Sequence, residues 1–151
     1  MTKFTHHKPH AMHPILRNIL VVILGIIIGS VVNMAIVMVA PSIIPLPDGV
    51  DPSNMEALKE AIPSFGPKHY IFPFLAHALG TLVGAFIAAR LGVGRKMLLA
   101  IIVGGWFFLG GVMNASMLGT PILWTALDLI ICYFPFAFIG GTLAGGSFKR
   151  T

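Results

Sequence analysis

The sequence contains few charged residues. Asp, Glu, Lys and Arg together make up 10% of its 151 residues, whereas 56% are hydrophobic. The mean hydropathy is +0.91. Because about a quarter of the residues of a soluble domain are charged, this composition excludes an ordinary soluble domain. It indicates an integral membrane protein, for which the lipid bilayer is the main partner.

Cysteine is almost absent, with Cys132 as its single occurrence. One cysteine forms neither an intramolecular disulfide nor a paired-cysteine redox motif, which argues against a small four-helix thiol oxidoreductase. The apolar stretches also lack the convergent groups that catalysis needs, such as a nucleophile beside a base or paired carboxylates. The sequence therefore predicts a protein that is not an enzyme and has no cofactor and no metal site.

Acidic residues are scarce, numbering five against ten basic residues, so that the formal net charge is +5. Basic residues at the ends of membrane spans set orientation, and we therefore do not expect a nucleic-acid partner. Eight of the ten would share one side of the membrane: Lys3, Lys8, Arg17, Arg90, Arg95, Lys96, Lys149 and Arg150. This distribution predicts that both termini are cytoplasmic and that the protein lies in a bacterial cytoplasmic (inner) membrane.

Long apolar stretches occur at four places, each near the roughly 20 residues that a helix needs to cross a bilayer. They cover residues 18–40, 69–90, 97–118 and 122–146. None alternates as a barrel strand does, so the predicted fold class is all-α, with a single four-helix transmembrane domain over residues 15–151. Residues 1–14 form a basic, histidine-rich tail. Metal binding by its histidines is a minor alternative, because Pro9 interrupts their helical face.

The loop between the first two spans, residues 41–68, is acidic. It carries four of the five acidic residues: Asp48, Asp51, Glu56 and Glu60. Asp51 or Ser53 is predicted to cap a short amphipathic helix that runs to about Ile62, with Glu56 completing a capping box on Ser53. We expect this helix to lie on the outer surface of the membrane.

Two pairs of similar segments indicate an internal repeat. Residues 72–84 resemble residues 134–145 with a single one-residue gap, and residues 29–33 resemble residues 110–114. The pattern predicts two duplicated hairpins in parallel orientation, related by a pseudo-twofold axis along the membrane normal. Pro73 and Pro135, at matching positions, are expected to kink their helices and to open a shallow cavity.

Glycine is abundant within the spans, where small residues let helices approach closely. The candidate packing positions are Gly25, Gly29, Gly80, Gly84, Gly110, Gly111, Gly141 and Gly145. Four short spans bury only part of so much glycine surface among themselves. We therefore expect a homo-oligomer or a subunit of a larger membrane complex.

A few polar residues lie at one depth in the predicted membrane. At the rise of a helix, Asn33, His77 and Asn114 all fall roughly 10–12 Å below the outer boundary. Ser30 and Thr81, one turn deeper, extend this polar layer. An ionisable residue in a membrane is a candidate functional group. His77 is interpreted either as interhelical glue bonded to an asparagine of the layer, as part of a path for a solute or proton, or as a haem or pigment ligand.

Asp128 lies within the fourth apolar stretch. Superposing the repeated motifs places it level with Gly66, which predicts an interfacial acid that Lys68 or His69 could pair with. The other alignment of the fourth stretch leaves it embedded in the membrane. Because the spans contain no other acid, the interfacial interpretation argues against a proton-coupled antiporter.

Two functions remain open from the sequence. The first is a non-enzymatic membrane subunit that associates with itself or with a larger complex through its glycine faces. The alternative is a small transporter or channel for a small solute, which would use the polar layer of Asn33, His77 and Asn114.

Overall fold

The computed structural model describes residues 12–47 and 50–147, and within them it contains helices and no strand. Two short 3₁₀ helices, Ile62–Ser64 and Pro67–Tyr70, precede the second long helix. The α-helices are α1 (Pro14–Ile43), α2 (Met55–Ala61), α3 (Ile71–Leu91), α4 (Lys96–Leu118), α5 (Ile122–Ile131) and α6 (Phe134–Leu143). The all-α prediction is thus confirmed.

Four helical segments are long and apolar enough to cross a membrane: Pro14–Ile43, Pro67–Leu91, Lys96–Leu118 and Ile122–Leu143. The last of them consists of α5 and α6 in succession. The predicted number of spans agrees with this result, although the first helix begins four residues earlier than residue 18. These helices indicate a multi-pass membrane protein.

The helices run back and forth between two ends of the bundle. The basic end carries Arg17, the turn between α3 and α4, and Lys96. The loop end carries residues 44–47 and 50–70, including α2, and the turn at Pro121. α1 and α4 run from the basic end to the loop end, and α3 and the α5–α6 segment return.

α3 is the central helix and contacts α1, α4 and α6. Its contact with α1 brings backbone against backbone, because a methyl group at Gly25 would lie 2.5 Å from the carbonyl oxygen of Gly84. A methyl group at Gly29 would lie equally close to the carbonyl oxygen of Gly80. Only glycine lets two antiparallel helices approach so closely.

α6 packs by the same means against its two neighbours. A methyl group at Gly140 would lie 2.6 Å from the carbonyl oxygen of Leu82 in α3, and one at Gly141 would lie 2.8 Å from the sulfur of Met97 in α4. Gly111 of α4 makes room for the ring of Tyr133. Of the candidate packing glycines, Gly110 and Gly145 do not pack closely: nothing lies near where their side chains would be.

Hydrogen bonds at the basic end join α1 to the end of α3. Arg17 Nε donates to the carbonyl oxygen of Leu91 at 3.0 Å. The Asn18 side chain accepts from the Val93 N–H at 2.8 Å and donates to the Val93 carbonyl at 2.9 Å. Lys96 Nζ donates to the Ala144 carbonyl at the end of α6, 3.3 Å away. Two cations thus satisfy carbonyl groups that helix termini leave free.

The two hairpins do not make equivalent contacts. α3 packs against α4, and a pseudo-twofold axis would require α1 to pack against α6 in the same way. Among the described residues, α1 packs instead along α3 and, to a smaller extent, α4. The duplication therefore stays a prediction from the sequence.

The two matched prolines lie at helix starts instead of at kinks. Pro73 is in the first turn of α3, and Pro135 is the second residue of α6, both positions where the missing N–H costs little. Pro135 cannot donate to the Ile131 carbonyl, and α5 ends at Ile131. The predicted kink in the fourth span is therefore a complete break between two helices.

The loop helix has a different cap from the predicted one. Asn54 caps α2 by accepting from the N–H groups of Glu56 and Ala57 at 2.9 and 3.2 Å. Asp51 instead accepts from the Ser53 hydroxyl at 2.7 Å and from the Ser53 N–H at 2.8 Å, and these hydrogen bonds lower the pKa of Asp51. The Asp51–Ser53 pair closes the turn that precedes the helix.

The glycine contact predicts a position-specific effect on stability. Gly84→Ala should lower the free energy of unfolding by about 1–3 kcal/mol, because the added methyl group would collide with the Gly25 carbonyl. Gly105→Ala, on α4 with open space around it, should be neutral or stabilising by up to about 1 kcal/mol. Thermal unfolding in detergent would measure both variants, and an equal response would contradict the contact.

Candidate functional site

Three polar side chains from α3, α5 and the α5–α6 break meet inside the bundle. His77 Nδ1 lies 2.9 Å from both carboxylate oxygens of Asp128. The Tyr133 hydroxyl donates to Asp128 Oδ2 at 2.8 Å. The side chains of His77 and Asp128 are 15% and 13% exposed, and Tyr133 is 1% exposed. We call this group the His77–Asp128–Tyr133 cluster.

Helix length brings His77 and Asp128 together. His77 lies six residues after the start of α3 at Ile71, and Asp128 lies six residues after the start of α5 at Ile122. Both helices start at the loop end, so both side chains lie roughly 9 Å along their helix axes. The contact between His77 and Asp128 requires that the two residues lie at the same depth on neighbouring helices.

The break between α5 and α6 positions Tyr133. Its ring lies against His77, with centroids 5.6 Å apart, and meets the edge of Phe108 at 6.0 Å. The absence of a side chain at Gly111 leaves the space that the ring occupies. Since a continuous helix would not turn at this point, the break caused by Pro135 is what lets Tyr133 reach an acid five residues earlier in the chain.

Pairing with His77 lowers the free-energy cost of the Asp128 carboxylate in a candidate membrane span. Asp128 is the only acidic residue in the four helical segments that could span a membrane. An isolated carboxylate in hydrocarbon is costly, and a hydrogen-bonded partner of opposite charge reduces this cost. The His77–Asp128 pair is neutral overall whether the proton lies on the imidazole or on the carboxylate.

Two predicted pairings are wrong. Among the described residues, Asp128 forms its ion pair with His77 and not with Lys68 or His69, and His77 is hydrogen-bonded to Asp128 rather than to Asn33 or Asn114. His69 instead accepts from the Gly66 N–H at 3.0 Å and stacks on Phe65.

The repeat aligns Asp128 with Gly66, but the repeated motif lies at different positions in its two helical segments. The Phe-Pro-Phe motif starts α3 directly after the loop-end 3₁₀ helix, but in the fourth span it follows the ten residues of α5. The same motif thus occupies two different depths. Asp128 lies within a helical segment that is apolar enough to span a membrane, and its depth in the bilayer stays a prediction.

A cavity of about 550 Å³ lies between α1, α3 and α4 at the loop end. Asn33, His77 and Asn114 all line it, and Tyr133 forms part of its wall. Most other lining side chains are apolar, and those of Met55, Leu58 and Ile62 come from α2 and the turn after it. The loop therefore covers the cavity on the side away from the basic end.

A smaller cavity of about 110 Å³ lies beside the first. His77 and Asn114 line both cavities, while Asp128 and Trp124 line the smaller one. Trp124 stacks on Tyr70 with ring centroids 4.8 Å apart. His77 thus contributes a polar group to both cavities, and Asp128 contributes one to the smaller cavity.

Of the five residues in the predicted polar layer, only Asn33, His77 and Asn114 line a cavity. Ser30 is exposed on the surface of α1, so it faces away from the cavities. Thr81 is fully buried, its hydroxyl has no hydrogen-bond partner, and it lines neither cavity. Asn33, His77 and Asn114 share the larger cavity without direct hydrogen bonds among them in the described part of the chain.

Tight packing fills the bundle between the cavities and the basic end. The glycine contacts of α1 with α3 lie here, and Ala85, Ala88, Ala89, Ala100 and Val103 are fully buried. The cavities therefore end at about the depth of the cluster. They form a pocket at the loop end and not a continuous channel.

No group of three potential ligands for a metal ion occurs in the described residues. The predicted histidine tail lies largely outside them, as do His6, His7 and His10. His13 is described, and its ring nitrogen accepts from the Ile15 N–H at the start of α1.

A double-mutant cycle should detect the central pair. His77→Ala and Asp128→Ala are expected to couple by about 0.5–3 kcal/mol in the free energy of unfolding, since each removes the other's partner. His69→Ala combined with Asp128→Ala should be additive within about 0.5 kcal/mol. Additive effects for the first pair, measured by thermal unfolding in detergent, would contradict the described geometry.

The chain was also compared with known proteins. No protein-family model, no curated protein and no solved structure matches it. Its function is therefore inferred from the geometry of the described residues.

Proposed function

We propose that this membrane protein is a small, non-enzymatic transporter that binds a small and mostly apolar solute in the loop-end cavity. The observation that carries the proposal is the cavity of about 550 Å³ that has His77, the partner of Asp128, in its wall. Pockets for small molecules typically have volumes of about 300–1,000 Å³, mostly apolar walls and a few polar groups that orient the ligand. The cavity fits this description in size and in lining.

The closed basic end supports transport by alternating access. A transporter needs a binding site that is sealed toward one side of the membrane at a time. The glycine contacts of α1 with α3 seal the described arrangement toward the basic end. Opening toward that end would require α1 to move relative to α3, which would break these contacts and the hydrogen bonds of Arg17 and Asn18 with the end of α3.

A role as a membrane subunit is the other function that the sequence favours. Its support is the broad apolar face of α1, on which Ile19, Ile23 and Ile27 are all about half exposed. A second copy or a larger complex could cover this face, but lipid covers such a surface equally well. The cavity has no comparable explanation in a packed scaffold, so we favour the transporter.

Orientation follows from the basic residues. We propose that the basic end faces the cytoplasm of a bacterium, so that α2 and the cavity lie on the outer side. In a Cys132→Ser background, Ser64→Cys should react with an impermeant maleimide in intact spheroplasts. Val93→Cys, in the turn at the basic end, should react only after permeabilisation. The reverse labelling pattern would overturn this orientation.

Filling the cavity should abolish solute binding. Gly110 lines the larger cavity and has open space around it, so Gly110→Leu should occupy the cavity without disturbing the helix contacts. Gly105→Leu, on the same helix and lining neither cavity, is the matched control.

The measurement is a thermal-shift screen of small neutral and ionic solutes in detergent, followed by flux assays in proteoliposomes. We expect a solute that stabilises the wild type and the Gly105→Leu variant, crosses the membrane with both, and does neither with Gly110→Leu. If no solute is bound or transported, or if Gly110→Leu behaves as the control does, the transporter proposal fails.

A further inference from the structure

The walls of the two cavities combine aromatic rings with a single carboxylate. Phe65 lines both cavities, Phe72 and Phe107 line the larger one, and Tyr70 and Trp124 line the smaller one. Aromatic faces attract cations, most strongly where water is excluded. The carboxylate of Asp128 lies in the wall of the smaller cavity, next to the larger one.

The charge balance of Asp128 depends on a single removable proton. Its side-chain contacts include His77, which carries a positive charge only when protonated, the neutral hydroxyl of Tyr133 and the thiol of Cys132. Arg and Lys side chains of the span segments lie near the helix ends, at Arg17, Lys68, Arg90 and Lys96. When His77 loses its proton, the carboxylate has no positive partner and faces an apolar, aromatic pocket.

We propose that the cavities take a lipophilic organic cation, which replaces the proton of His77 as the counter-charge of Asp128. The inference rests on the proposed transporter function and names its substrate class and its coupling. An apolar cation satisfies both features of the site, because its body fits the apolar walls and its charge neutralises the acid. A neutral solute would use the walls alone, and an anion would face the carboxylate.

The exchange conserves charge and involves no redox change. In the empty state of the proposed cycle, His77 is protonated and donates to the Asp128 carboxylate. When the cation enters, one N–H bond of the imidazolium breaks, the electron pair stays on the ring nitrogen, and the proton leaves to water. One proton is released for each cation bound, and the site stays neutral in both states. Transport by this scheme moves the cation and the proton in opposite directions.

Other titratable groups near the pair are few. Tyr133 and Cys132 lie in the break between α5 and α6, and His69 and Tyr70 lie at the start of the α3 segment. The charged side chains of α2, Glu56, Lys59 and Glu60, are exposed. α1, α4 and α6 contribute no titratable side chain at this depth. The pH dependence of cation binding should therefore reflect the His77–Asp128 pair.

Two ions of matched shape and opposite charge provide the test. Tetraphenylphosphonium and tetraphenylborate differ mainly in the sign of their charge. Binding of each to the full-length protein in non-ionic detergent can be measured by titration calorimetry, with empty micelles subtracted. A pH indicator in weak buffer then reports protons released on binding. Asp128→Asn removes the proposed charge, and Glu56→Gln removes an exposed carboxylate as the matched control.

We expect tetraphenylphosphonium to bind and tetraphenylborate not to bind. On the acidic side of the titration, affinity for the cation should rise about tenfold per pH unit, because one proton leaves for each ion bound. The Glu56→Gln variant should keep this behaviour, and the Asp128→Asn variant should lose at least about tenfold in affinity, together with the proton release. If Asp128→Asn does not fold, the charge selectivity and proton release of the wild type still test the proposal.

Each result that contradicts the proposal overturns a different part of it. Equal or stronger binding of tetraphenylborate overturns the cation class, and cation binding without proton release overturns the exchange. If neither ion binds while a neutral solute still binds in a manner sensitive to Gly110→Leu, the cation inference fails and the transporter proposal stands. If no ligand of any charge binds, both fail.

Discussion

The cost of a carboxylate within a membrane is the constraint on which the described arrangement depends. Asp128 is the only acid in the candidate spans, and such a group persists in hydrocarbon only with a partner. His77 supplies the opposite charge and Tyr133 an additional hydrogen bond. To bring these three together, α3 and α5 must be neighbours, the helix must break before Pro135, and Gly111 must leave room for the tyrosine ring.

Glycine determines where the bundle is dense and where it is hollow. Toward the basic end, Gly25 and Gly29 of α1 lie directly against Gly84 and Gly80 of α3, and small buried residues fill the remaining space. Toward the loop end, larger side chains and α2 hold the helices apart. The result is a pocket that closes at the depth of the ionisable pair, and this shape is what favours a transporter over a packed scaffold.

Prediction from the sequence succeeded for properties that depend on composition and local pattern. The helical spans follow from apolar stretches of sufficient length. The rise of a helix predicts one depth for Asn33, His77 and Asn114, and all three line the larger cavity. Prediction from the sequence did not foresee the His77–Asp128 pair, because the Phe-Pro-Phe motif marks the start of α3 but the middle of the fourth helical segment. It also retained Ser30 in the polar layer, since depth alone does not say which way a side chain faces.

By itself, the sequence determined that the chain is helical, that four segments are apolar enough to span a membrane, and that few polar groups lie within them. These properties depend on hydropathy and helix geometry, which act along one segment at a time. Only the tertiary structure decided that His77 pairs with Asp128, that Gly110 faces open space, and that a cavity lies between α1, α3 and α4. Each of these depends on the rotation and spacing of helices that are distant in sequence, and such relations arise only when the helices pack.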